Sequence, residues 1–308
     1  MQIRTDLAVE SRECAGEIRG VSSRTFRHGE IEETHVTVET DEAADALQKA
    51  MGKYITLSHP ALLHADARDR MELARSLADA LRGILPPFGD LLVVGLGNRR
   101  ITADALGSRV LESLLITRHM QPVMEGALKS RLRGVCAVAP GVLGVTGMET
   151  AEVVHGIVEH VRPAAVIAID ALAARESCRI CTTIQITDTG ILPGSGVGNH
   201  RMGLTKETLG IPVVAIGVPM VVYAAVIARD ALSLLLKDFG ISENEHEQAM
   251  NAMVGKVIEQ GLGELIVTPR EVDELVGRVA QIIADGLNLA LQPRLSEEEI
   301  HILSHDGM

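Results

Sequence analysis

The 308-residue sequence has no tryptophan, two tyrosines and three phenylalanines. Its core therefore has to be built from Ala, Val, Ile, Leu and Met. Cysteine is equally scarce: Cys14, Cys136, Cys178 and Cys181 follow no regular spacing. This is not the disulfide framework of a small secreted scaffold, and a reducing compartment fits better. No apolar run approaches the ~20 residues of a spanning helix. Met1 to Glu17 is polar and charged where a signal peptide would be apolar. Lys and Arg number 29 against 41 Asp and Glu, a net charge of −12, which argues against a basic face for nucleic acid. These absences lead us to expect a soluble, cytoplasmic protein that binds neither nucleic acid nor membrane directly.

What is present centres on residues 164–199. Val166 to Ile169 is a short apolar run that stops on Asp170, the pattern of a strand buried on both faces in a parallel sheet. A second run, Thr182 to Thr187, ends on Asp188 and leads into the glycine-rich stretch Gly190 to Asn199. Upstream, Leu91 to Leu96 is followed by Gly97, Asn98 and a helix entry at Asp104. In open α/β sheets the working residues gather beyond the carboxyl ends of strands. Two acids in one dry cleft can divide acid and base roles, because the second proton leaves with difficulty beside an existing charge. On pattern alone the plainer alternative is the commoner one: Asp104 caps a helix and Asp170 ends a strand in solvent.

Taken in order, residues 1–20 read as irregular or strand-like. Strands are expected at Glu32–Thr40, Lys53–Leu57, Leu91–Leu96, Val135–Ala139, the two runs above, and Val213–Gly217. Helices are expected at Asp41–Met51 with Asp41 as N-cap, and within Pro60–Ile84, Ala103–Thr117, Glu149–Val161, Val221–Phe239, Asn244–Gln260 and Pro269–Leu291. Gln121–Gly134 reads as an exposed connection and the residues from Gln292 as a loose tail. Alternation of strand and helix predicts an α/β fold, a mainly parallel sheet flanked by helices. The divisions are an N-terminal addition (7–88), a core sheet (89–239) and C-terminal helices (240–291).

Several motifs have competing readings. Gly95-Leu96-Gly97-Asn98 lacks the third glycine of a dinucleotide turn, and a tight turn lining a cleft uses the same glycines. Gly97, Asn98, Asp188, Gly194, Ser195 and Gly196 are candidate cleft-lining residues. Gly194 to Gly198 has no Lys-Ser/Thr after it and is no P-loop. Cys178-x-x-Cys181 is at most half a zinc site. Asp188-Thr189-Gly190 spells the tripeptide of pepsin-like enzymes, which are all-β, whereas here it lies among βα units. Histidines 119, 155, 160 and 200 form no H-E-x-x-H, and Ser195 lacks a nucleophile-elbow setting. No metal or cofactor is called for.

VVGLGN (Val93–Asn98), TADALG (Thr102–Gly107), ITRH (Ile116–His119), APGVLGVTGMETAE (Ala139–Glu152), IAIDALAAR (Ile167–Arg175), TTIQITDTGILPGSGVGN (Thr182–Asn199), TLGIPVVAIGVP (Thr208–Pro219) and IVTPREVD (Ile266–Asp273) stand in this order. With RTDLAVE (Arg4–Glu10) they resemble the germination proteases of spore-forming bacteria over nearly the whole chain. The resemblance implies a phosphorylase/hydrolase-like α/β fold akin to hydrogenase-maturation peptidases. It also implies an endopeptidase acting on small acid-soluble spore proteins in the spore core, and a homotetramer. It puts the catalytic pair on Asp104 and Asp170. It further implies a zymogen whose pro-segment, residues 1–6, is removed between Asp6 and Leu7, leaving 7–308 as one peptidase domain. The sequence departs from the family pattern at Ala103 and Ser108, where prolines are usual, and at Tyr223, where Asp is common; the segments before Leu91 and after residue 239 look shortened. Two other classes stay open: a metal-dependent maturation-type peptidase, and a non-catalytic nucleotide-binding module built on Gly95–Asn98.

Overall fold

The computed structural model describes residues 5–60, 62, 65–123, 125–192, 202–238 and 265–305. Helix α1 (Ala8–Ala15) precedes an antiparallel meander, β1 (Val21–His28), β2 (Ile31–Val38) and β3 (Gly52–Ser58), with α2 (Asp41–Leu47) inserted. Next come α3 (Ala67–Arg82), β4 (Leu91–Gly95), α4 (Leu106–Glu112), α5 (Ala127–Arg131), β5 (Val135–Val138), α6 (Leu143–Thr146) and α7 (Thr150–Val161). They are followed by β6 (Ala165–Ala174), β7 (Thr183–Thr187), α8 (Lys206–Leu209), β8 (Val213–Tyr223) and α9 (Ala224–Asp238). The described chain ends with β9 (Ile266–Val267), α10 (Val272–Leu291) and α11 (Glu297–His305).

The strands form one sheet in the order β1-β2-β3-β7-β8-β6-β4-β5, with β9 against β8. Among the described strands only β5, β4, β6 and β8 run parallel; the pairings on the β7 side and of β9 are antiparallel. The sheet is therefore mixed rather than mainly parallel. Strand β7 enters the sheet against the direction of β8 and joins the parallel half to the meander.

One face of the sheet, carrying Ile167, Ile169, Ile184, Ile186 and Ile216, packs on α3 and α10. Each fully buried Leu or Ile there is worth roughly 1.5–3 kcal/mol. Gly286 of α10 permits close approach to α3: a Cβ there would stand 2.9 Å from the Ala74 carbonyl oxygen. Caps fix the helix starts. Asp66 accepts from the amides of Arg68 and Asp69, and Thr40, not Asp41, accepts from Ala43 at the head of α2.

Other expectations are corrected, and Gln121–Gly134, read as an exposed connection, contains α5. Residues 1–20 contain α1, whose start is buried. Strand β1 is almost wholly exposed on its side chains, so it lacks the apolar alternation that would betray it. Strand β8 continues through Tyr223, delaying α9 to Ala224. The C-terminal stretch is a docked helix: Arg131 pairs with Glu299, Arg75 with Glu297, and Ile300 is buried. The helix expected at Asn244–Gln260 lies outside the described residues. Among the described residues no helix is long and apolar enough to cross a membrane.

Candidate active site

The site grows from the turn after β4. The Leu96 amide donates to the Ile169 carbonyl at 2.8 Å, carrying the β4–β6 pairing one residue beyond the strand. Gly97 then takes φ +94°, and a Cβ there would fall 1.9 Å from the main-chain oxygen of Asp104. Only glycine fits both the angle and the contact. The Asn98 amide donates to Asp104 Oδ2 at 2.7 Å, and Asn98 Oδ1 accepts from the Arg100 amide. The loop from Asn98 is thus wound back so that Asp104, in a single 3₁₀ turn (Thr102–Asp104), closes it. Behind it Gly107 packs backbone to backbone, its absent Cβ 2.4 Å from Leu96 N and 2.6 Å from the Ile169 oxygen. These glycines serve close packing of the strand end on α4. Ser108 returns its hydroxyl to the Ala105 carbonyl.

Asp170 does not end a strand in solvent. Strand β6 runs on to Ala174, and Asp170 lies inside it at 6% exposure. Its Oδ1 accepts from the Ala171 amide at 2.9 Å. The turn Leu96-Gly97-Asn98 joins the two acids: its first amide bonds the residue before Asp170, and its last bonds Asp104 itself. The structure therefore places Gly97, Asn98 and Asp104 beyond the carboxyl end of β4, beside Asp170 in the middle of β6. By register Asp170 lies opposite Gly217 of β8, which lies opposite Gln185 of β7. This row separates two apolar clusters on its face. Val166, Ala168, Leu92, Val94 and Leu96 pack under α7 and α8 on one side, and Leu172, Ala174, Val222 and Val226 on the other.

The second cluster is completed by Leu7 and Val9. The N-terminal segment, whose residues 1–20 read from sequence as irregular or strand-like, is fully buried at Leu7 and Ala8. The Asp6 amide donates to the Ala173 carbonyl at 3.1 Å, and the Ala173 amide returns a bond to Asp6 Oδ2 at 2.9 Å. Gln185 Nε2 donates to the Asp6 carbonyl at 3.1 Å, and its Oε1 accepts from the Ala8 amide at 2.6 Å. Lys49 Nζ donates to the Thr5 carbonyl at 2.9 Å; burial pulls this ammonium below its ordinary pKa against the charges of Asp6 and Glu10. Glu10 accepts from the amides of Arg175 (2.8 Å) and Glu176 (2.9 Å) and from the Thr5 hydroxyl. Arg179 stands 3.5 Å away. Burial raises the Glu10 pKa despite those donors.

Asp188 lies elsewhere. It is three residues beyond Gln185 on an antiparallel strand, toward the start of β8. It is exposed and accepts from the Lys53 amide at 2.8 Å. It fastens the β3–β7 pairing and does not join Asp104 and Asp170. Gly194, Ser195, Gly196 and His200 lie outside the described residues. Cys181 is buried and its thiol is pushed up to about 12, while Cys178 is exposed. Among the described residues no three His, Cys, Asp or Glu converge as a metal set. Sequence reasoning missed Gln185, Lys49 and Arg179. Gln185 carried a signal: a polar residue between two isoleucines in a buried strand must find partners.

Residues 2–261 match the family described as germination protease. Proteins named germination protease align over nearly the whole chain. The Clostridium perfringens strain 13 protein is 42% identical over 97% of this chain and 98% of its own length. That of Caldanaerobacter subterraneus subsp. tengcongensis is 43% identical over 98% of each. The Bacillus subtilis strain 168 protein is 37% identical over 98% of this chain and 97% of its own.

Proposed function

This chain belongs to the germination protease family and is an endopeptidase; from that premise we propose that it begins the degradation of small acid-soluble spore proteins during germination, using Asp104 and Asp170 as its two working carboxyl groups. The observation that carries the reading is the turn Leu96-Gly97-Asn98, bonded at one end beside Asp170 and at the other to Asp104. One carboxylate takes a proton from the attacking water, and the other, protonated, delivers one to the departing nitrogen. The pair would titrate as a unit, so the two roles belong to the pair. No residue of this scheme needs to be a covalent nucleophile.

The enzyme is proposed to be made as a zymogen that cuts itself between Asp6 and Leu7. The bonding of this very segment to Ala173, three residues past Asp170, and to Gln185 supports the idea. Asp6, Leu7, Ala8 and Glu10 resemble the acid, bulky apolar, small and acid positions of the family's processing site, and the acid-then-apolar step also suits a cleavage site in its substrates. We further assign the protein to the cytoplasm of the spore core, as a homotetramer on a fold akin to hydrogenase-maturation peptidases.

The test is incubation of the purified chain with a small acid-soluble spore protein, with and without chelator. Cleavage on the carboxyl side of an acid, unaffected by chelator and lost in Asp170→Asn, is expected. Cleavage that chelator abolishes would move the chemistry to a metal. A monomer by light scattering at micromolar concentration would remove the tetramer.

A further inference from the structure

We propose that Gln185 is a catalytic residue of self-cleavage, its side-chain amide gripping the chain on both sides of the Asp6–Leu7 bond and donating to the carbonyl oxygen that gains charge. The inference rests on the reading that the chain cuts itself there.

The geometry is direct. Gln185 is buried on β7, and its neighbours Ile184 and Ile186 belong to the opposite face. Its Nε2 reaches the Asp6 carbonyl at 3.1 Å and its Oε1 the Ala8 amide at 2.6 Å. One amide thus fixes the main chain before and after the bond. Asp6 is pinned from the other side by Ala173, and the Leu7 amide donates to Thr5 Oγ1 at 3.0 Å. Across the sheet Gln185, Gly217 and Asp170 form one row. With strands about 4.8 Å apart, the backbones of Gln185 and Asp170 are separated by about 10 Å. The residue between them is Gly217, and the side chain of Leu172 from β6 packs over it, 2.4 Å from where a Cβ would stand, in the same cluster as Leu7.

The hydrolysis balances without consuming Gln185. Water oxygen bonds to the Asp6 carbonyl carbon while one water proton passes to a carboxylate of the pair. Negative charge collects on the Asp6 oxygen, at which Nε2–H already points. The C–N bond then breaks, and the Leu7 nitrogen takes a proton from the other carboxyl. A fixed donor at a developing oxyanion acts most strongly in a dry site.

A glutamine serving only to dock α1 would make the same two bonds, so the test must separate donor from clasp. Full-length native chain, Gln185→Leu, Gln185→Glu and Asp170→Asn are followed by intact mass and N-terminal sequencing across a pH series. Hydrogen exchange at residues 8–15 reports whether α1 stays docked. Gln185→Leu should trim roughly 100-fold more slowly at every pH, the usual loss for one oxyanion donor. Gln185→Glu keeps an acceptor for Ala8 but cannot donate as a carboxylate. Its rate relative to native should therefore climb on acidification, when the carboxylic O–H takes over the donor's place. If Gln185→Leu does not fold, that pH series decides alone. Trimming of either variant at the native rate, or a Glu-to-native ratio that stays flat with pH, makes Gln185 a clasp and overturns the inference alone. A fully active native enzyme that keeps Met1 overturns the self-cleavage reading, and the role of Gln185 with it.

Discussion

Asp6 and Ala173 hold each other twice, main chain to main chain at 3.1 Å and amide to Asp6 Oδ2 at 2.9 Å. Asp6 is thereby attached to the same strand as Asp170, three residues further along. The residue after it, Leu7, is core. A cut between them leaves Leu7 and Val9 in the second apolar cluster.

Asp104→Asn and Asp170→Asn should each lower peptide cleavage by at least about 100-fold, the lower range for losing a general acid or base. The swap keeps size, so circular dichroism and the denaturant midpoint should stay near native. Asp188→Asn should retain most activity, because it fastens Lys53 at the far end of β7. Loss at Asp188 equal to that at the other two would sink the pairing.

Gly97→Ala should be the most harmful glycine-to-alanine change among the described residues. It meets the Asp104 oxygen at 1.9 Å and needs φ +94°. A strained backbone costs on the order of 1–3 kcal/mol before any clash. Denaturant unfolding should register that loss, and cleavage should fall further than stability does because Asp104 is displaced. Native activity in a destabilised Gly97→Ala would separate the turn from the chemistry.

Glu10 gives the N-terminal clasp a pH dependence of defined sign. Burial raises its folded pKa above the ordinary 4.5, so the native state binds the proton more tightly than the unfolded chain. Its contribution is fully present below the unfolded pKa and is lost as pH rises through the folded one. The melting midpoint of the native protein should therefore fall relative to Glu10→Gln as pH is raised from about 4.5. A constant difference between the two would contradict this.

Glu299 has the opposite sign. Its hydrogen bond to Arg131 lowers its pKa to about 2. The stabilisation is present above the ordinary value of 4.5 and is lost as pH falls through about 2. Hydrogen exchange in α11 should quicken over that acid window, and Glu299→Gln should remove the change.

The pattern of the chain disclosed the strands that are buried on both faces, because four or more consecutive apolar residues leave few alternatives. It could not disclose direction: Thr183–Thr187 reads the same whether β7 runs with β8 or against it. Asp104 was legible as a helix entry and Asp170 as an acid after an apolar run. The continuation of β6 past Asp170 was hidden, since three of its four residues, Ala171, Ala173 and Ala174, have no strand preference of their own. The burial of α1 was hidden for another reason. Its buried members include Glu10, whose charge suggested solvent, while its partners Arg175, Glu176 and Arg179 lie 165 or more residues away.

The antiparallel insertion of β7 also shapes how the chain must be built. Strand β3 ends at Ser58, and its partner strand begins at Thr183. A ribosome adding roughly 5–20 residues per second leaves that meander with an open edge for roughly 6–25 s. Such an edge is a template for a neighbouring chain. Along it lie Tyr54, Ile55 and Leu57, with Lys53 the one charge at its head. During synthesis, the hazard of mispairing falls on β3, far in sequence from the strand that relieves it.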